Sequence, residues 1–208
     1  MYICISILNM ANENFKNQVI TAAQKLFQEH GLGMVTMEDV AKAVGKGKST
    51  LYYYFKSKEE IFNAVLDSEI SDVVTETLKR LSIHDIFLDK LKAFTHTKFE
   101  MVQKRKSLYK AIEAGMDAEA FSQYMEAKKQ IHQKYLQKEI LILQQVFFNA
   151  IQRNEIPEMD INQIEKNIFL FLSAIRGINR EFVVHGNPDD DGKDVLNQFC
   201  ELYYRGIR

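Results

Sequence analysis

Thr50-Leu51-Tyr52-Tyr53-Tyr54-Phe55-Lys56-Ser57-Lys58 is the stretch that decides how this chain folds. Its three consecutive tyrosines stand between Lys46 and Lys48 on one side and Lys56 and Lys58 on the other. Ahead of it lies Thr36-Met37-Glu38-Asp39-Val40-Ala41-Lys42-Ala43-Val44-Gly45, which reads as one short helix closed by a glycine turn. A helix, a tight turn and a second short helix rich in hydroxyls, tyrosine and lysine form a helix-turn-helix pattern. Successive helical residues point about 100° apart. Tyr52, Tyr53 and Tyr54 therefore cannot share one buried face, and at least one faces outward. An outward tyrosine beside lysines suits phosphates and thymine methyls.

Working outward, Phe15, Val19, Ala22, Ala23, Leu26 and Phe27 recur at three- and four-residue spacing and line one face of a first helix. Gly31 suits the left-handed position that ends it. Thr36 fits as the N-cap of the second helix, with Asp39 as the capping-box acid. Val40, Ala41 and Val44 form its buried edge, and Gly45 allows the sharp turn. Ser49 or Thr50 can open the third helix, whose Leu51 and Phe55 return to the core. Thr36, Ser49, Thr50 and Lys58 would each present donors to a phosphate backbone, and helix N-termini add unpaired N–H groups. From Asn12 to Lys58 there are seven basic and four acidic residues, a local +3 in a chain of net −1. Positive charge gathers where the motif lies, as a DNA reader requires.

With these residues in place, the first ~60 residues resemble the DNA-binding domain of the TetR family of bacterial transcription regulators. The family pattern is matched by Phe27 to Gly31, by Thr36 with Val40-Ala41, by Gly45, by Thr50-Leu51-Tyr52-Tyr53-Tyr54-Phe55 and by Lys58. The resemblance implies phosphate contacts from Thr36, Tyr54 and Lys58, and base-edge positions for Lys48, Ser49, Tyr52 and Tyr53. Lys46 and Gly47 stand where the family often has valine and serine, which adds a charge and removes a capping hydroxyl. The DNA-binding set expected is thus Thr36, Lys46, Gly47, Lys48, Ser49, Thr50, Tyr52, Tyr53, Tyr54 and Lys58. Gly45-Lys46-Gly47-Lys48-Ser49-Thr50 also imitates part of a phosphate-binding loop. Nucleotide hydrolysis would need a glycine at position 42, which is Lys42, and a preceding buried strand, where the pattern is helical.

Composition bounds the rest. A hydrophobic fraction of 46% over 208 residues allows a small domain and a larger one. Two prolines, nine glycines and few alternating β-branched runs favour an all-α protein. Cys4 and Cys200 lack metal-site spacing and read as reduced thiols of a cytoplasmic protein. Met1–Asn9 is too short and poorly flanked for a signal peptide. Met10 reads as an alternative start, with Met1–Asn9 as a leader or as an extra segment packed on the body. No apolar run approaches a membrane span.

Helical patterns continue from Ser57, with Ser57 as N-cap. They run over Asp85 to about Lys106, Leu108–Ala114, about Ala118–Arg153, Ile161–Val184 and a last helix opened by Asp189-Asp190-Asp191. The expected architecture is all-α with about nine helices, the count that the resemblance implies. Residues 10–57 would form the three-helix DNA-binding domain and 58–208 a helical regulatory and dimerisation domain. The resemblance also implies a dimer bundle built from the last two helices, with Ile168, Leu172, Ile175, Phe182 and Phe199 at the interface. It implies an inducer enclosed by the central helices, for which Phe94, Phe99, Tyr109, Ile112, Met116, Tyr124, Phe147 and Phe171 are candidates. Arg176 and Arg180 read as surface or interface pairing rather than anion recognition. His96 and Glu100, at i and i+4, lack a third ligand of recognisable spacing and read as a solvated face. No catalytic residues, cofactor or metal is expected. The partners expected are a palindromic double-stranded DNA operator, an unidentified small-molecule effector and a second copy of the chain, with no membrane. A helical small-molecule binding protein or enzyme that merely retains a helix-turn-helix is the rival reading.

Overall fold

The computed structural model describes residues 2–113, 116, 118–184 and 191–208, with side chains outside 2–11, 105–113, 119–120, 123 and 183–184. The described residues form eight helices: α1 (Tyr2–His30), α2 (Met37–Ala43), α3 (Lys48–Tyr54), α4 (Lys58–Leu81), α5 (Phe87–Glu113), α6 (Ala118–Gln152), α7 (Ile161–Val184) and α8 (Gly192–Ile207). The difference from the nine expected lies in α5. Residues 87–113 hold neither glycine nor proline, so nothing breaks the helix where two were expected. Helix α1 begins at Tyr2, so residues 2–9 continue the first helix. Asp191 caps α8 by accepting from Lys193 and Asp194 N–H, while Asp189 and Asp190 lie outside the described residues.

The chain divides into two compact units, residues 1–70 with 107–131 and residues 71–106 with 132–208. In the first, Val19, Ala23 and Phe27 of α1 meet Val40 and Ala41 of α2, Leu51 of α3 and Ile61, Phe62 and Val65 of α4. Phe27 and Phe62 pack edge-on at 5.8 Å. Gly31 and Gly45 take left-handed backbone, φ 81° and 64°, where a side chain would be strained. Ser57 accepts from Glu60 N–H at 3.2 Å and caps α4 as expected.

In the second unit, Phe87, Leu91 and Phe94 of α5, Leu143, Val146 and Phe147 of α6, Ile164, Ile168, Phe171, Leu172 and Ile175 of α7, and Leu196 and Cys200 of α8 share one core. Burial pushes the Cys200 thiol up to about 11, so it stays protonated. Gly192 is fitted to Phe99. A Cβ there would fall 2.6 Å from Phe99 Cε2 and closer still to Cζ, while the same ring packs edge-on to Phe182 at 5.7 Å. Gly192→Ala is therefore expected to destabilise the chain by about 1–3 kcal/mol, the usual cost of overpacking. Thermal denaturation checks it, and an unchanged melting temperature would mean that the Phe99 ring moves freely.

Candidate nucleic-acid interface

Helix α2 starts with the expected capping box. Thr36 N–H donates to Asp39 Oδ2 at 2.9 Å, Thr36 Oγ1–H donates to the same oxygen at 2.6 Å, and Asp39 N–H donates to Thr36 Oγ1 at 3.2 Å. The Thr36 hydroxyl, then its backbone N–H, hold the Asp39 carboxyl below its ordinary range. The third helix departs from expectation. Gly47, not Ser49 or Thr50, is its N-cap, and no side chain caps it. Its extended backbone, φ −72° and ψ 153°, already carries the chain into the helix. Lys46, Gly47, Lys48, Ser49 and Thr50 are all exposed.

The tyrosine run resolves as helical geometry demands. Leu51 is fully buried, while Tyr52 and Tyr53 are 39% and 73% exposed. The Lys48 ammonium lies over the Tyr52 ring at 5.9 Å. Tyr54 turns back, its hydroxyl donating to Asn12 Oδ1 at 2.7 Å and its ring packed 4.8 Å from Phe15. Lys56 Nζ donates to the Tyr52 and Tyr53 carbonyls at 3.0 and 3.3 Å, placing a cation on the negative end of α3. Lys58 Nζ donates to the Leu32 and Gly33 carbonyls at 2.8 and 3.4 Å. The exposed face thus presents Lys46, Lys48, Ser49, Thr50, Tyr52 and Tyr53, with Thr36 exposed at the start of α2.

The expected effector residues fall in both units. Phe94, Phe147 and Phe171 are buried in the second unit's core, with Phe99 packed against it. Tyr124 and Met116 belong instead to the first unit's core. The side chains of Tyr109 and Ile112 lie outside the described residues. The first unit holds a cavity of about 390 Å³ lined by Leu32, Lys58, Phe62, Tyr124 and Ala127 among others, and Tyr124 is the one described residue of the expected set on its wall.

The expected interface residues differ in burial within the chain. Ile168, Leu172 and Ile175 are 0–2% exposed because the chain's own core takes that stripe, and Phe182 and Phe199 are half-buried. Among the described residues, the exposed apolar side chains on the last two helices are Ile161, Phe169 and Leu170 on α7 and Val195 and Leu202 on α8, each 42–69% exposed.

A buried polar cluster in the second unit had no clear signal in the sequence. Lys98 Nζ donates to Glu139 Oε1, and Arg176 Nη2 lies 3.4 Å from Glu139 Oε2. Lys98, Glu139 and Asn179 are 8%, 1% and 4% exposed. Burial pushes the Lys98 ammonium down, and Glu139 draws it back up. At the rim, desolvation and then the Arg176 and Lys98 charges lower His132. The one available sign was Arg176 with Asn179 three residues on, polar groups on one face of an otherwise apolar helix. Elsewhere Glu100 pairs with Arg80 at 2.8 Å and Lys193 at 2.6 Å, while His96 bonds Asn197 at 2.8 Å. Among the described residues no group of His, Cys, Asp or Glu could hold a metal ion, and no helix is long and apolar enough to cross a membrane.

Residues 19–65 match the family described as bacterial regulatory proteins, tetR family. The chain is 36% identical over 58 residues to the HTH-type transcriptional regulator YhgD of Bacillus subtilis, a match covering 28% of this chain and 30% of that protein. It is 23% identical over 141 residues to YvdT, another HTH-type regulator of Bacillus subtilis, covering 68% and 69%. A TetR transcription regulator from Haloarcula marismortui shares the fold, with TM-score 0.67 and 18% identity over 94% of this chain and 98% of that one.

Proposed function

We propose that this chain, whose residues 19–65 match the tetR family of bacterial regulatory proteins, is a sequence-specific transcriptional regulator of that family, a ligand-responsive repressor acting as a cytoplasmic homodimer. The observation that carries the reading is the exposed face of α3. It sets Lys48, Tyr52 and Tyr53 on a short helix held from behind by Leu51, within the segment that matches the family. In this reading α3 enters the major groove. Lys48, Ser49, Tyr52 and Tyr53 meet base edges, while Thr36 and Lys46 meet phosphates. Tyr54 and Lys58 reach phosphates only by exchanging their present partners, Asn12 and the Leu32 and Gly33 carbonyls.

Two copies read two half-sites, and Phe169, Leu170, Val195 and Leu202 supply the apolar surface that a second copy covers. Helix α4 runs unbroken from Lys58 to Leu81 and belongs to both units. It is the element through which effector and operator are coupled, provided the effector prefers the form that does not bind DNA.

Selection from random duplex DNA tests the reading. The purified chain is expected to enrich an inverted repeat, with affinity falling steeply as salt rises through release of counterions. A folded dimer that enriches nothing across a range of salt would overturn it.

A further inference from the structure

We propose that the buried cluster around Arg176 and Asn179 is an effector site for a small organic acid carrying a hydroxyl next to its carboxylate. The inference rests on the ligand-responsive reading above and names the chemistry of its ligand. Asn179 is 4% exposed, yet neither its side-chain nitrogen nor its oxygen has a hydrogen-bond partner, and Arg176 Nε is likewise unpaired. Buried polar atoms without partners are rare, because each has given up its hydrogen bonds to water. Here three such atoms stand together on one face of α7, three residues apart.

The three atoms define what completes them. Arg176 Nε–H and the Asn179 amide N–H donate, and the Asn179 amide oxygen accepts. Exchanging the amide nitrogen and oxygen leaves the same demand. A carboxylate accepts the two N–H groups, and a hydroxyl on the adjacent carbon donates to the remaining oxygen. An inorganic anion without a proton, such as sulfate, would satisfy the donors but face the amide oxygen with another acceptor.

Charge points the same way. Lys98 and Arg176 share the single carboxylate of Glu139, so the cluster holds two cationic side chains against one anionic one. One further carboxylate balances them, which a buried site requires. The Arg176 side chain is 31% exposed, which gives the cluster an opening to solvent. One helical turn beyond Asn179, Phe182 packs on Phe99 at 5.7 Å and offers an apolar neighbour for the rest of the molecule.

The test is calorimetric titration of the full chain, without DNA, with lactate, mandelate and 3-phenyllactate. 3-Phenylpropionate, which lacks the hydroxyl, and 3-phenylpropane-1,2-diol, which lacks the carboxylate, are the comparisons. At least one hydroxy acid is expected to bind, with its matched comparison about tenfold weaker or more, the effect of one lost hydrogen-bonding group. Asn179→Leu is expected to abolish binding without lowering the melting temperature, because it replaces an unsatisfied amide by an apolar group of similar size. Failure of every hydroxy acid to bind at millimolar concentration would overturn the proposal. So would equal binding of 3-phenylpropionate, or an Asn179→Leu chain that melts lower, the sign of an amide satisfied by internal water. The two readings separate cleanly. A hydroxy acid that binds but leaves the operator complex intact keeps the site and removes ligand response. Operator binding without any acid binding removes the site alone.

Discussion

A chain carrying both Lys48→Ala and Tyr53→Ala is expected to lose operator affinity by about 100-fold or more, since each base-edge contact contributes roughly 1–3 kcal/mol of discrimination. The fold should survive. Tyr53 is 73% exposed and Lys48 is exposed, while α3 is held by the fully buried Leu51 and the buried Phe55. Losing one lysine should also lower the slope of affinity against salt by about 1. Circular dichroism and melting temperature provide the control, and titration of labelled operator at several salt concentrations provides the affinity. Unchanged affinity in a folded double variant would remove this face of α3 from the interface. Tyr54 is left out of the pair deliberately. Its hydroxyl holds Asn12 and its ring packs on Phe15, so replacing it would mix lost contacts to DNA with lost packing.

The helix-turn-helix segment was legible in the sequence because its signals are local. A capping box needs only Thr36 and Asp39 at the right spacing, a left-handed turn needs only Gly31 or Gly45, and a buried edge needs only a period. The start of α3 was misplaced for a local reason too. The cap lies at Gly47, which lacks the hydroxyl that marks such positions, so the search moved on to the first available ones, Ser49 and Thr50.

The second unit was less legible because its arrangement depends on which helix face meets which neighbour. The stripe Ile168, Leu172 and Ile175 reads equally well as a core or as an interface. Only the positions of Phe94, Leu143 and Phe171 in the same cluster show that the chain itself covers it. Phe169 and Leu170, adjacent to that stripe, carry the exposure instead. Nor could spacing reveal that Lys98, Glu139 and Arg176, on three different helices, would meet. Sequence separations of 41 and 37 residues leave no periodic trace. Arg176, read as surface or interface pairing, finds its partner in the buried Glu139 of its own unit.

That meeting sets up the largest stability effect expected in the second unit. Glu139→Ala should destabilise the chain by about 3–5 kcal/mol, because it leaves the Lys98 ammonium buried without its counter-ion and Arg176 without its partner. The cost should belong to the orphaned cation rather than to the lost pair. Lys98→Met with Glu139→Leu removes both charges and keeps apolar volume, so it should be far less destabilising than Glu139→Ala alone. The pH dependence separates the two further. Burial already lowers Lys98 in the folded chain, and Glu139 is the partner that raises it. Without Glu139, the folded lysine drops further below its unfolded value, and between those two values the unfolded chain binds more protons. Stability then rises with pH through that window. The Glu139→Ala deficit should therefore shrink as pH climbs toward the ordinary lysine range, whereas the double variant should show no such recovery. Urea denaturation of the three chains at several pH values measures this. A deficit that is independent of pH, or a double variant as unstable as Glu139→Ala, would mean that the cluster matters through its packing and not through its charge.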